Sequence, residues 1–431
     1  MTSSQHKNIA VFIYQAFMAL LSMVARILGL VSGSASLKER LGFYSRADRE
    51  KLSIGYNVWL HAASAGEVNA ISPFCQAFRK AKPEAKIILT TTSPSGKKIA
   101  LEKGVADSVF LAPLDMSGPL KRAFQAFRPV MVLVAETEFW PNWLFRTGHN
   151  GLPLLLINGR ISDRSFPSYM RFKALFSPAL NCFGLCLVQT KGDLEKLSAL
   201  GVSEKRIMVA GQMKYDLVTP DITAVEKFGK DLGLERKDIL FTLGSLREGE
   251  DDLLLPLVSR LLDLSGDVKL VIAPRHLKNA VVFQEKLKGL GVAAALRSEM
   301  EKSPGAKRVI VLDTLGELSL AYALSRAAFV GGTLVPVGGH NVMEPALGSV
   351  PVCFGPFTQN VGEAALALVQ SGGGVEIQEP SELTGVFKNF LEEVAAKEAG
   401  VKGFNAVNAM RGATDRTVAQ VLKHWPINNK A

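Results

Sequence analysis

The stretch VGGTLVPVGGHNVMEPALGSVPVCFGP, Val330 to Pro356, decides how this chain is read. It predicts an apolar strand, a glycine-rich loop, a short helix and a second apolar strand. The loop holds Gly331, Gly332, Gly338 and Gly339, then His340 and Asn341, and Glu344 falls in the first turn of the helix. Glycine has no Cβ, so its backbone can come close to a ligand. A helix N-terminus presents unpaired N–H groups and partial positive charge, which suit a phosphate. A carboxylate in that turn can accept two hydrogen bonds from a ribose diol. The stretch therefore reads as a nucleotide-holding loop in the second half of the chain.

Outward from this loop the same alternation continues in both directions. Strands are predicted at Asp238–Ser245, Val268–Pro274, Val309–Asp313, Ala327–Gly332 and Val350–Gly355 in the second half. In the first half they fall at Val58–Ala63, Lys86–Thr92, Val109–Pro113, Val130–Glu136 and Leu152–Asn158. Short, continuous apolar strands separated by helices indicate parallel sheets buried on both faces. The chain is α/β, with two doubly wound domains predicted to face each other across a cleft at their strand C-terminal ends, where such sheets bind ligands. The boundary is expected between Tyr215 and Leu234, around Pro220, and Phe404–His424 reads as one helix returning to the first domain.

The 431 residues give room for two ordinary domains, and 48% apolar with 21% charged residues indicate a globular chain. The net charge of +10 fits a basic solvated surface, an anionic membrane or anionic substrates. Nucleic acid is disfavoured, since no basic run is interleaved with aromatics. Cys182 and Cys186 stand four apart without a second pair nearby, which favours small buried hydrophobes over zinc, and nothing demands disulfides. Ile9–Ser34 is mostly apolar with the single charge Arg26, and Lys38, Arg40, Arg46, Arg49 and Lys51 follow it. It is long enough to span a bilayer with the body of the protein cytoplasmic. A cleaved signal peptide and an interfacial amphipathic helix are the alternatives.

Six segments carry residues suited to chemistry. In HAASAGE, His61–Glu67, Gly66 permits a tight turn and Glu67 is placed as a general base or as a helix-dipole partner. In AETEFWPN, Glu136 and Glu138 lie two apart and point to opposite sides if extended. In GQMKYD, Lys214 can meet a donor carboxylate or phosphate, or serve as a solvated linker residue. APRHLKN places Arg275 after a strand, able to bind phosphate bidentately, with His276 beside it. DTLGEL offers Gly316 and Glu317 near a base pocket, and GGHNVMEP is the loop above. P-loop, HExxH and GxSxG patterns are missing, as is a dense acidic metal cluster, so metal chemistry is not supported.

Taken in order, these segments resemble the 3-deoxy-D-manno-octulosonic acid (Kdo) transferases of lipopolysaccharide synthesis, from the N-terminal anchor to about Pro356 and more weakly beyond. The resemblance implies a GT-B glycosyltransferase of two Rossmann-like domains with an N-terminal membrane-anchoring helix. It implies an enzyme that moves Kdo from CMP-Kdo to a lipid A precursor at the inner membrane, on the cytoplasmic side. It implies Glu67 as catalytic base, with Glu136 and Lys214 assisting the transition state. It implies CMP contacts from Pro274 and Arg275, from Leu315, Gly316 and Glu317, and from Asn341, Val342, Met343 and Glu344. The family often has N-P-L-E where this chain has Asn341-Val342-Met343-Glu344, and HSVSVGE where it has HAASAGE. His61, Ser64, Gly66 and Glu67 are kept, so the departures fall on apolar packing.

The implied division is 1–36 for the anchor, 37–220 for an acceptor domain, 221–403 for a CMP-Kdo domain and 404–431 for a returning helix. The expected partners are CMP-Kdo, a lipid A precursor and the inner membrane, with no metal or other cofactor and no nucleic acid. The reaction should invert the anomeric centre. A GT-B enzyme using a UDP- or GDP-sugar, or a non-catalytic membrane-anchored nucleotide-binding scaffold, are the alternatives.

Overall fold

The computed structural model describes residues 9–21, 34–52, 55–216, 219–300 and 307–426. The chain divides into two compact units, one running to Asp216 and resuming at Arg411, the other Leu217–Met410.

The first unit holds a seven-stranded sheet of β1 (Tyr56–His61), β2 (Ala85–Thr91), β3 (Ser108–Leu111), β4 (Pro129–Ala135), β5 (Leu154–Gly159), β6 (Leu185–Val188) and β7 (Ile207–Val209). Its order is β3-β2-β1-β4-β5-β6-β7, and every pairing is parallel. Strands β1 and β4 are apolar on both sides because helices cover both faces. On one face Trp59 packs against Phe124, Phe127 and Trp143. On the other, Val58 and Leu60 meet Phe74 and Phe78 of the Ala65–Ala81 helix, together with Val418 and Val421 from the chain's last helix. Cys186, a residue of β6, belongs to the core on the Trp59 face.

The second unit repeats the plan with β8 (Ile239–Leu246), β9 (Val268–Pro274), β10 (Ala295–Leu296), β11 (Val309–Val311), β12 (Ala327–Val330), β13 (Val352–Phe354) and β14 (Gly374–Glu376). The order is β10-β11-β9-β8-β12-β13-β14, again parallel throughout. In each sheet the strand order reverses beside its first strand, between β1 and β4 and between β8 and β12. Chains leaving the strand C-terminal ends there diverge to opposite faces and open a crevice. The Val330–Pro356 stretch leaves β12 at one of these points, and HAASAGE leaves β1 at the other.

Two sequence expectations are corrected. Phe404–His424 is not one helix: Glu393–Ala409 ends before Arg411, and Ala413–Lys423 begins after Gly412, whose φ is 91°. The Asp216 carboxylate accepts from the backbone N–H of Gly412 at 2.5 Å and of Thr414 at 2.6 Å, which caps the second helix and returns the chain to the first unit at Arg411 rather than at 404. The short strands β6, β7, β10 and β14 also lie outside the ten strands expected.

The N-terminal stretch is helical over residues 9–21; 22–33 lie outside the described residues, as does that part of the predicted span. Among the described residues no helix is long and apolar enough to cross a membrane. Tyr14 donates to the Asp115 carboxylate at 2.7 Å, which ties this helix to the first unit, while Phe12, Ile13, Phe17 and Leu20 are exposed.

Candidate active site

In the first unit the site grows from the end of β1. Ser64 caps the Ala65–Ala81 helix by accepting from the Glu67 N–H at 3.2 Å. The Glu67 carboxylate reaches back to accept from the Ala63 N–H at 2.8 Å and the Ser64 hydroxyl at 3.2 Å. This is a capping box displaced by one residue. Gly66 sits inside the first helical turn with negative φ, so the expected tight turn at Gly66 is not formed. The reciprocal hydrogen bonds hold the Glu67 carboxylate in the first helical turn against the segment that follows β1. Burial is the main reason its pKa is pushed up to about 7; the Ala63 hydrogen bond opposes this, and the charges of Glu136 and Glu138 add to it. A carboxyl that is half ionised near neutrality is suited to accept a proton.

Glu136 and Glu138 do not lie on an extended segment. Glu136 has a φ of 56°, a left-handed conformation that is costly for a residue with a Cβ and breaks the extended geometry the sequence suggested. Both carboxylates act on Glu67. Glu136 accepts from the Asn158 amide at 3.3 Å, and Asn158, itself at φ 50°, accepts from the Met213 N–H at 3.2 Å. Asn158 thereby joins Glu136 to the turn that carries Lys214. Burial raises the pKa of Glu136, while the positive charges of Arg160 and Lys214 lower it. Glu138 behaves in the opposite way. Burial works against its ionisation, but His61 and the Trp140 indole N–H, at 2.7 Å, hold its pKa below the usual carboxylate value. Carboxyls pushed apart in pKa within one site can divide acid and base roles. Asn158 and Arg160 were missed in the sequence; their only signal is the position of Asn158-Gly159-Arg160 at the exit of β5.

In the second unit the glycine-rich loop folds around a buried carboxylate. Glu250 is fully buried and accepts from the N–H groups of Arg247 at 2.9 Å, Gly332 at 2.6 Å, Thr333 at 3.0 Å and Leu334 at 2.9 Å. Gly332, Gly338 and Gly339 have φ between 72° and 91°, which only glycine adopts freely. His340 accepts from the Arg247 guanidinium at 3.1 Å. Burial, then the charges of Arg275, Arg247 and His276, push its pKa down to about 4, so its imidazole is neutral at pH 7.

Arg275 is exposed just beyond β9, where its N–H donates to the Leu246 carbonyl at 2.8 Å. Its charge acts on Glu344, whose pKa is raised by burial and lowered by Arg275. Asn341 accepts from the Met343 N–H at 3.1 Å. Arg275, His340 and Glu344 thus form one electrostatic group after β9 and β12. Val342 and Met343 are fully buried, backbone included, and present no surface to a ligand. The Met343–Leu347 helix has five residues, too short for the full end charge of a long helix, and Arg275 is the stronger anion partner.

The DTLGEL segment leaves β11, the strand paired with β9. Leu315 is 89% exposed, Gly316 has φ 85°, and Glu317 pairs with Arg297 at 3.1 Å and with Thr314. Pro274 is buried as the last residue of β9. Glu250 was missed because it lies in the acidic run Glu248–Asp252, which reads as a helix-dipole cluster.

A family model described as 3-deoxy-D-manno-octulosonic-acid transferase (kdotransferase) matches residues 35–217. The chain is similar to the 3-deoxy-D-manno-octulosonic acid transferase of Haemophilus influenzae, 31% identical over 385 residues, covering 88% of this chain and 89% of that protein. It is also similar to a bifunctional glycosyltransferase/methyltransferase of Fusobacterium nucleatum, 28% identical over 349 residues; the match covers 79% of this chain and 53% of that longer protein. Among solved structures, UDP-GlcNAc 2-epimerase from Neisseria meningitidis is similar with a TM-score of 0.56 at 14% identity, covering 85% of this chain and 100% of that one. That likeness concerns the fold alone: two Rossmann-like units of the GT-B type.

Proposed function

We infer the reaction from the family to which this chain belongs, the 3-deoxy-D-manno-octulosonic acid (Kdo) transferases: it moves Kdo from CMP-Kdo to a lipid A precursor in lipopolysaccharide synthesis. The observation that carries the reading is Glu67, a carboxyl fixed at the exit of β1 with its pKa near neutrality.

The mechanism is a single displacement. An acceptor hydroxyl attacks the anomeric carbon of Kdo, and Glu67 takes the hydroxyl proton. The new C–O bond forms as the bond to the CMP phosphate breaks, and that electron pair leaves with CMP. Attack opposite the leaving group inverts the anomeric centre. Arg275 supplies the cation for the leaving phosphate, and Glu344 accepts from the ribose hydroxyls. CMP leaves as a monophosphate, so one guanidinium serves where a diphosphate would call for a metal. Lys214 faces the donor's carboxylate, and Glu136 supports positive charge developing at the anomeric carbon.

Arg275→Ala is expected to weaken CMP binding about 10- to 100-fold, since a charge-assisted contact to phosphate contributes about 1.5–3 kcal/mol. Arg275→Lys should recover part of this, because a lysine keeps the charge and loses the bidentate fork. Calorimetric titration with CMP measures both, and an unchanged Arg275→Ala affinity would remove Arg275 from the donor site.

The exposed face of the 9–21 helix, Phe12, Ile13, Phe17 and Leu20, lies in the interface of the inner membrane, with both units on the cytoplasmic side. The basic net charge favours the same anionic surface. Phe12→Glu with Phe17→Glu is expected to cut co-sedimentation with anionic vesicles at least tenfold without lowering the melting temperature. Equal vesicle binding by the double variant would place the membrane contact elsewhere.

A further inference from the structure

His61 is the last residue of β1 and is 1% exposed. Its ring stands edge-on to Trp143, with centroids 5.2 Å apart and planes at 88°, so the orientation is fixed by packing. Its Nδ1 lies 3.0 Å from the Thr90 hydroxyl. That hydroxyl is itself buried and accepts from the Trp59 indole N–H at 2.9 Å. An indole N–H can only donate. The proton of the Thr90 hydroxyl then has His61 Nδ1 as its acceptor. A neutral imidazole that accepts at Nδ1 carries its proton on Nε2. Nε2 lies 3.5 Å from the Glu138 carboxylate, within ion-pair reach, and makes no hydrogen bond. The Trp140 indole N–H holds the same Glu138 oxygen at 2.7 Å.

We propose that His61 is a positioning residue for the catalytic base: Thr90 fixes its tautomer, its Nε2–H keeps Glu138 charged, and the charge on Glu138 sets the basicity of Glu67. The proposal rests on the reading of Glu67 as base. The titratable groups facing Glu67 are Glu136 beyond β4 and Glu138 two residues on, which both raise its pKa, and His61 itself, whose direct effect lowers it by less than Glu138 raises it; Arg160 and Lys214 face Glu136. Within this set, Glu138 is held by one hydrogen bond, from Trp140, and by the electrostatic contact with His61 at 3.5 Å. Without that contact Glu138 takes up a proton more readily. Glu67 then feels less negative charge, ionises at lower pH and becomes a weaker base.

The two imidazole nitrogens can be separated by substitution. A glutamine amide nitrogen falls near Nε2, and an asparagine amide falls near Nδ1. Kdo transfer from CMP-Kdo would be followed from pH 5 to 9 for wild type, His61→Gln, His61→Asn and Thr90→Val, with melting temperatures measured on the same preparations. His61→Asn is expected to lower kcat about tenfold, leave KM for CMP-Kdo unchanged and move the acid limb of kcat/KM down by about one pH unit. His61→Gln should stay close to wild type in both. Thr90→Val should move the limb in the same direction by less, and it keeps the test open if His61→Asn does not fold. An acid limb at the wild-type pH in His61→Asn and Thr90→Val would overturn the proposal. So would equal loss in the Gln and Asn variants with both limbs unmoved, which is the pattern of a packing role. Glu67→Gln, run in parallel, separates the two failures: an active Glu67→Gln enzyme refutes the base, whereas an inactive one beside unshifted His61 variants refutes the positioning role alone.

Discussion

Glu67→Gln is expected to lower Kdo transfer by about 10²–10⁴-fold while CMP binding stays as in wild type. Glutamine keeps the shape of the side chain and can still accept from the Ala63 N–H, so the helix cap survives. What it loses is the ability to take the acceptor's proton. In wild type the kcat/KM profile should fall on the acid side around pH 7, the value to which burial raises this carboxyl. Below that limb the rate should drop tenfold per pH unit, and the limb should be missing from any residual activity of the variant. Stability should move the other way. The folded-state pKa lies above the unfolded one, so this group's contribution is fully present below about pH 4.5 and is lost as pH rises through about 7. Glu67→Gln should therefore melt higher than wild type at pH 8 and close to it at pH 5. A variant less stable at both pH values would mean that the carboxylate is held for its cap rather than for chemistry.

Glu250→Ala is the second large effect. It is expected to cost at least about 3–5 kcal/mol and to abolish CMP binding. The Glu250 carboxylate accepts from four backbone N–H groups, three of them on the loop that leaves β12. Each buried N–H left without a partner costs about 1–3 kcal/mol. A whole domain is stable by only about 5–15 kcal/mol, so the loss falls on the entire second unit. Glu250→Gln should sit between, because its amide oxygen can still accept while its NH₂ faces N–H groups that also donate. Urea unfolding and thermal shift with CMP measure the two consequences. A change under about 1 kcal/mol with CMP affinity intact would show that the loop is held by something other than Glu250.

The two predictions differ in how visible their residues are in the sequence. Glu67 is legible, because HAASAGE sits between an apolar strand and a helix, and a carboxylate three residues after a serine is a cap signature. Glu250 is hidden in a charged run, since only the folded chain brings β8's exit under the loop after β12. The interior strands other than the four-residue β6 are legible because each is buried on both faces and therefore apolar throughout. The edge strands β7, β10 and β14 have two or three residues each, too few to show a pattern. The break at Gly412 is masked by a helical pattern that continues on both sides of it, although glycine after the last periodic residue is a stop signal. The sequence spacing of Glu136 and Glu138 assumes an extended chain, whereas Glu136 has a left-handed φ. Asn158 works through two hydrogen bonds to residues far along the chain, and its place at the exit of β5 is its only local mark.

The central claim is the transfer itself. The most direct test is to incubate the full chain with CMP-Kdo and a tetra-acylated lipid A precursor in anionic vesicles and to weigh the lipid product by mass spectrometry. The account predicts a product heavier by one or more Kdo units, formed with stoichiometric release of CMP. An unmodified lipid from a preparation that still binds CMP would contradict it, and the chain would then be a nucleotide-binding member of the family with a different acceptor or donor.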